Sequence, residues 1–185
     1  PPLFCKHTTA HSISLGLVGS EMCIRDSSYA VSILSKSDAN DNKFIPDLKE
    51  ANLIYLTGGD PNHLVSVLRD SIILSLIGTL ATQGCFIAGS SAGAMVLGKQ
   101  MFYRGVTAGL SLIGDIITLP HHENSDPASI HESIVSLLPK KSKTYGIDGG
   151  TGLIFTDSGT EILGRGTVTS YNQHGWAVSK SKQLP

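Results

Sequence analysis

The residues best suited to chemistry lie in IAGSSAGAMVLG, residues 87–98. The stretch reads as an apolar strand, a very tight turn and the start of a helix rich in small residues, with Ser91 at the bend. G-x-S-x-G in that setting is a nucleophile elbow: Gly89 and Gly93 remove side chains where the chain bends, and Ala92 and Ala94 let the helix pack close behind. Ser91 would then present its hydroxyl at a helix N-terminus, whose partial positive charge favours a developing oxyanion. The same position also suits a helix-capping serine, so the motif leaves two roles open. A serine hydroxyl is a weak nucleophile without a base. His121 follows the apolar segment DIITLP (115–120) and is the candidate base, because a strand end places it near the elbow. His122 would point elsewhere, and His63, His131 and His174 fall on a helix, a helix and a late turn. The loop TGGDPN contributes Gly58, Gly59 and Asp60. Glycines there let main-chain N–H groups approach a reacting carbonyl, and the amides of Gly59 and Ala92 would form an oxyanion hole. An ordinary glycine turn into a helix capped by Asp60 is the alternative.

These loops need elements that bring them together. YAVSIL (29–34) alternates like a strand, and SDANDNKFIPDLKEA suits a helix with cap-like Ser37 and Asp38, interrupted near Pro46. NLIYLTGG (52–59) is a short strand ending in a Gly-Gly turn. DPNHLVSVLRDSIILSLIGTLATQG begins with an Asp-Pro helix signal and keeps helical spacing to Gly84. CFIAG is a buried strand, and DIITLP, DPASIHESIVSLLP (126–139) and KTYGID (143–148) repeat the strand–helix–strand alternation. Strands separated by helices imply βαβ units and a mostly parallel sheet covered on both faces, with the active site at the strands' carboxyl ends. TGLIFT, EILGRGTVTSY and WAVSK are short alternating segments with glycine turns, read as antiparallel strands near the C-terminus.

A length of 185 residues fits one domain, and 41% apolar with 16% charged residues is a globular composition. Net charge is near zero, and the short run PKKSK (139–143) lacks an aromatic platform, so no nucleic-acid partner is expected. No apolar run reaches the roughly 18 residues that span a bilayer. Cys5, Cys23 and Cys85 lack paired or metal-like spacing, which argues against disulfides and zinc and for a reducing cytoplasm. Cys85 reads as a buried structural thiol. HHENSD has no second ligand pair, so neither a metal nor any other cofactor is expected. The segment SISLGLVGSEMCIRDS (12–27) resembles translated adapter sequence from assembled environmental DNA and is not a signal peptide. Residues 1–27 are therefore expected to be non-native, with a native first strand missing and residues 28–185 forming one domain.

Four segments together carry a resemblance: LIYLTGGDPNHL, GSSAGAMVLG, ITLPHHE and YGIDGGTGLIF. In this order and spacing they resemble the peptidase family that contains cyanophycinase and the aspartyl dipeptidase called peptidase E, from about residue 29 to the C-terminus. The resemblance implies a three-layer α/β/α sandwich similar to the class I glutamine amidotransferase domain, with serine in place of that enzyme's cysteine. It implies Ser91 as nucleophile, His121 as base and the amides of Gly59 and Ala92 as oxyanion donors. One departure matters: many relatives read GIDE where this chain reads GIDGG. An acid there looks like the group that orients the histidine, whereas here Asp148 remains and position 149 is glycine. Asp148, or Glu123 beside His121, could fill that role.

The function expected is a serine peptidase that cleaves a small peptide or an aspartyl-linked amide through an acyl-enzyme on Ser91. An aspartyl carboxylate would want a basic partner, for which Arg104 is the candidate. The alternative is a catalytically impaired, ligand-binding relative, favoured by Gly149. An α/β-hydrolase esterase is disfavoured by the short separation of Ser91 and His121, and an amidotransferase by the serine itself. A homodimer is compatible with the sequence.

Overall fold

A computed structural model describes residues 30–139 and 142–181. Segment 1–27, Tyr29 of YAVSIL and the paired lysines of PKKSK therefore lie outside the described residues. The chain forms two compact units, one containing residues up to 56 with 62–88, the other residues 57–61 with 89 onwards.

In the first unit, two 3-10 turns (Asp38–Asn40 and Asn42–Phe44) lead into α1 (Ile45–Lys49), followed by β1 (Leu53–Leu56), α2 (Pro61–Leu68), α3 (Ile72–Thr82) and β2 (Phe86–Gly89). Pro46 sits in the first turn of α1 rather than interrupting it, where its missing N–H has no helical partner to lose. The strand expected at 29–34 does not form over its described part. The amides of Leu34 and Ser35 donate instead to Asp38 Oδ2, which curls the chain, and Leu34 is 71% exposed. The long helix expected from Asp60 to Gly84 is two helices bent by 91°. Asp70 adopts φ 56°, and Ser71 Oγ accepts from Leu74 N at 3.0 Å to cap α3. A local cap of this kind satisfies an orphan helix amide and so competes with helix continuation. No single described helix is long and apolar enough to cross a membrane. Ile73, Ile77 and Leu80 of α3 are buried with Leu48 of α1 and Ala39. β1 and β2 pair as a two-stranded sheet, and β2 is half-buried rather than buried, since β1 is its one partner among the described residues. Burial pushes the Cys85 thiol up, offset in part by a hydrogen bond with the Ile54 backbone, which fits a structural thiol rather than a reactive one.

The second unit contains α4 (Ala92–Val96), β3 (Gln100–Phe102), β4 (Val106–Ala108), β5 (Ile116–Leu119), α5 (Pro127–Ile134), β6 (Lys143–Ile147) and β7–β10 (Thr151–Thr156, Gly159–Gly164, Thr167–Asn172, Gly175–Lys180). Its main sheet has the order β10-β9-β6-β5. β5 and β6 run parallel, with Ile116 opposite Lys143 and Leu119 opposite Gly146, while β6–β9 and β9–β10 are antiparallel. β3–β4 and β7–β8 are separate antiparallel hairpins. The α/β class holds, but the sheets are small and mixed where a mostly parallel one was expected. Short glycine turns can join only antiparallel neighbours, whereas the parallel pair needs the α5 crossover. That helix is capped by Asp126, whose carboxylate accepts from Ser129 N and Oγ. Its Ile134 packs with Ile117, Leu138 and Tyr171 in the unit's core.

The parallel register matters for function because it brings the loops after β5 and β6 out at the same edge. His122, in the first of these loops, is pinned from three sides. Its N–H donates to Ile147 O at 3.1 Å, its Nε2 lies 2.6 Å from Tyr171 Oη, and a Cβ on Gly146 would come within 2.5 Å of its ring. Burial, with a smaller contribution from Asp126, pushes the Tyr171 phenol up to about 12, so it stays neutral at neutral pH. Burial also holds His122 below the ordinary histidine value of 6.5, against smaller raising contributions from Asp148 and Glu123.

Two outcomes follow from this packing. Ile117 is fully buried, so Ile117→Ala should lower unfolding free energy in urea by about 2–5 kcal/mol; a loss well under 1 kcal/mol would contradict the core assignment. Because the His122 value is depressed on folding, the unfolded chain takes up that proton first, and stability falls as pH drops through the unfolded value. The thermal midpoint should therefore decline between about pH 7 and pH 5. In His122→Phe the decline over that window should shrink, and an unchanged slope would show that His122 is not its source.

Candidate active site

The sequence-derived site residues all belong to the second unit. Ser91 stands between β2 and α4 with φ 50° and ψ −119°, a backbone region that costs a non-glycine residue about 1–3 kcal/mol and that is concentrated at functional sites. The bend is possible because of what surrounds it. A Cβ on Gly89 would lie 2.5 Å from the Gly93 carbonyl carbon, and one on Gly58 would lie 3.3 Å from Ser91 Cβ. Behind the bend, Ala92, Met95 and Val96 are buried.

Ser91 makes no side-chain capping hydrogen bond to α4. Its Oγ lies 3.0 Å from His121 Nε2, the distance at which an imidazole can accept the hydroxyl proton. His121 also has a left-handed backbone, φ 56°, and immediately precedes the pinned His122. The two adjacent histidines thus diverge, one toward the elbow and one into the core, as their sequence positions suggested.

Gly58 abuts Ser91, and Gly59 adopts φ 139°, a conformation that a side chain rarely tolerates. Asp60 follows and directly precedes α2. Ala92 contributes the first amide of α4, one of those with no partner inside a helix. Arg104, with φ 57°, forms the turn between β3 and β4, its guanidinium over the Tyr103 ring at 5.5 Å. No hydrogen bond joins Arg104 to Ser91 or His121 among the described residues.

The carboxylates separate in a way the sequence left open. Asp148 Oδ2 accepts from Thr167 N at 2.7 Å and Thr167 Oγ1 at 2.8 Å, and its N–H donates to Thr167 O. It fastens β6 to β9, and no hydrogen bond joins it to His121 among the described residues. Glu123 Oε2 instead accepts from Gly149 N at 2.8 Å. Thr167 and Tyr171 were not singled out as partners of the site. Only their shared face on a strand of alternating pattern hints at them, since neither lies in a local motif.

Residues 21–163 match peptidase family S51, more than half of the chain. The chain is 29% identical over 148 residues to cyanophycinase from Synechococcus elongatus, covering 72% of this chain and 46% of that protein. It is 32% identical over 136 residues to cyanophycinase from Trichormus variabilis, covering 66% and 45%. It thus spans somewhat less than half the length of these two relatives. Among solved structures it is similar to a peptidase from an acI-B1 Actinobacterium, with a TM-score of 0.75 and 26% identity over 89% of this chain and 70% of that one. The family match covers more than half of the chain and the fold likeness agrees with it: the chain belongs to peptidase family S51.

Proposed function

We propose that this chain is a serine peptidase acting through Ser91 and His121, and that residues 28–185 work as one catalytic domain of the three-layer sandwich type. The observation that carries the reading is the 3.0 Å contact of Ser91 Oγ with His121 Nε2, made by a serine whose side chain is not used as a cap. In the reaction, His121 takes the hydroxyl proton as Oγ attacks the scissile carbonyl. The N–H groups of Gly59 and Ala92 receive the developing oxyanion, with Gly58 giving room at the elbow. His121 then delivers the proton to the leaving amine, and a water deprotonated by the same ring releases the acyl group.

The substrate belongs to the same proposal: a short peptide or an aspartyl-linked amide, in keeping with the cyanophycinases to which the chain is similar. Asp60 and Arg104 are the charged residues assigned to substrate binding, Arg104 for an aspartyl carboxylate. A cytoplasmic setting fits the cysteine usage, and no cofactor is required by the mechanism.

Intact mass after exposure to a fluorophosphonate tests the reading. One adduct per chain should form, absent in Ser91→Ala, and His121→Ala should slow it by about 10²–10⁴-fold. Cleavage of Asp-X dipeptides by the unlabelled enzyme, lost in Ser91→Ala, would then define the substrate class. Folded protein that forms no adduct would favour the ligand-binding alternative suggested by Gly149.

A further inference from the structure

Little holds His121 directly. The residue is exposed, its backbone is left-handed at φ 56°, and among the described residues the one hydrogen bond of its ring is the contact with Ser91. An exposed ring on a strained backbone keeps its reach to a serine only where the adjoining peptide is fixed by its surroundings.

The next residue supplies that fixing. His122 is 5% exposed and bonded in three directions. Its N–H donates to Ile147 O on β6 at 3.1 Å, and its carbonyl accepts from Ser125 N at 3.0 Å. Its Nε2 meets Tyr171 Oη on β9 at 2.6 Å, with the two rings edge-on at a centroid distance of 5.6 Å. The first bond fixes the peptide that joins 121 to 122, and the ring contact fixes the residue beyond that peptide. The loop after β5 is thereby tied to both β6 and β9.

Gly146 supports a seat built for this ring. Its φ lies outside the left-handed region, so its backbone conformation does not call for glycine, and glycine inside a strand weakens it. What glycine provides is space: a Cβ there would come within 2.5 Å of His122 Cδ2 and 2.6 Å of Cγ and Nε2. Burying two polar groups is costly unless they pair, and an apolar ring would fill the volume without that cost. The polar pair adds direction, because a hydrogen bond weakens steeply when misaligned.

We propose that Tyr171 and His122 form a clamp that positions His121, their contact and the main-chain bond to Ile147 together holding the ring of the base at Ser91. The proposal rests on the reading of Ser91 and His121 as nucleophile and base. Neither Tyr171 nor His122 has a hydrogen bond to Ser91 among the described residues, so both are positioning residues that act through His121.

Tyr171→Phe in the full chain tests the clamp, since it removes the hydroxyl and keeps the ring. The maximal rate of inactivation by a fluorophosphonate should fall about 10–10²-fold, a misplacement of about 1 Å being enough. The half-saturating reagent concentration should change by less than about twofold, because the clamp does not touch the reagent. His122→Leu should lose rate likewise, and His122→Gln should regain most of that loss, since an amide side chain can either accept from or donate to Tyr171. Hydrogen exchange of the His122 amide gives a readout besides reaction: it should quicken at least about tenfold in Tyr171→Phe, with the strand amides of β5 and β6 unchanged. A maximal rate within about twofold of the parent, or an unchanged His122 exchange, would overturn the proposal. Should Tyr171→Phe not fold, equal losses in His122→Gln and His122→Leu would overturn it instead. If the parent forms no adduct, the catalytic reading fails, and the His122 exchange alone decides whether the clamp exists.

Discussion

Everything at the site depends on one contact, Ser91 Oγ to His121 Nε2 at 3.0 Å, and on the cost of making it. Both residues hold left-handed backbones, φ 50° and φ 56°, each unfavourable by about 1–3 kcal/mol for a residue with a side chain. Such strain persists only where neighbours over-determine it. At Ser91 the neighbours are the glycines at 58, 89 and 93 and the buried face of α4. At His121 they are the anchors of the next residue, His122, on Ile147 O and on Tyr171. The two strained residues are thus stabilised by different mechanisms, close backbone packing in one case and a buried polar pair in the other.

The parallel pairing of β5 with β6 links these local devices. With Leu119 opposite Gly146, the chain leaves both strands at the same edge. His122 N–H can then reach Ile147 O, and Glu123 can reach Gly149 N. A one-residue slip would turn side chains to the opposite face, separating His121 from Ser91. The antiparallel neighbour β9 sets the other boundary. Thr167 holds Asp148 away from the histidine, and Tyr171 closes the core beneath it.

Much of the site was legible in the sequence because its signals are local. The Gly-Ser-Gly spacing depends on sterics within a few residues, and the placement of His121 follows from a strand end. The antiparallel C-terminal strands were legible for the same reason, since glycine turns announce them. What was not legible depends on contacts distant in sequence. The break at Asp70 and Ser71 competes with a helical pattern that continues across it, so periodicity alone joins α2 to α3. The segment 30–34 alternates like a strand but is turned by Asp38 before any partner pairs with it. The division of labour between Asp148 and Glu123 is set by sheet register, which no short motif encodes.

The central claim is that Ser91 attacks toward a space lined by the amides of Gly59 and Ala92, and a crystal structure of the phosphonylated protein tests it most directly. The account predicts phosphorus bonded to Ser91 Oγ with one phosphonyl oxygen within about 3 Å of both amide nitrogens. Phosphorus on another residue, or a phosphonyl oxygen directed to solvent and beyond hydrogen-bond reach of both amides, would contradict it.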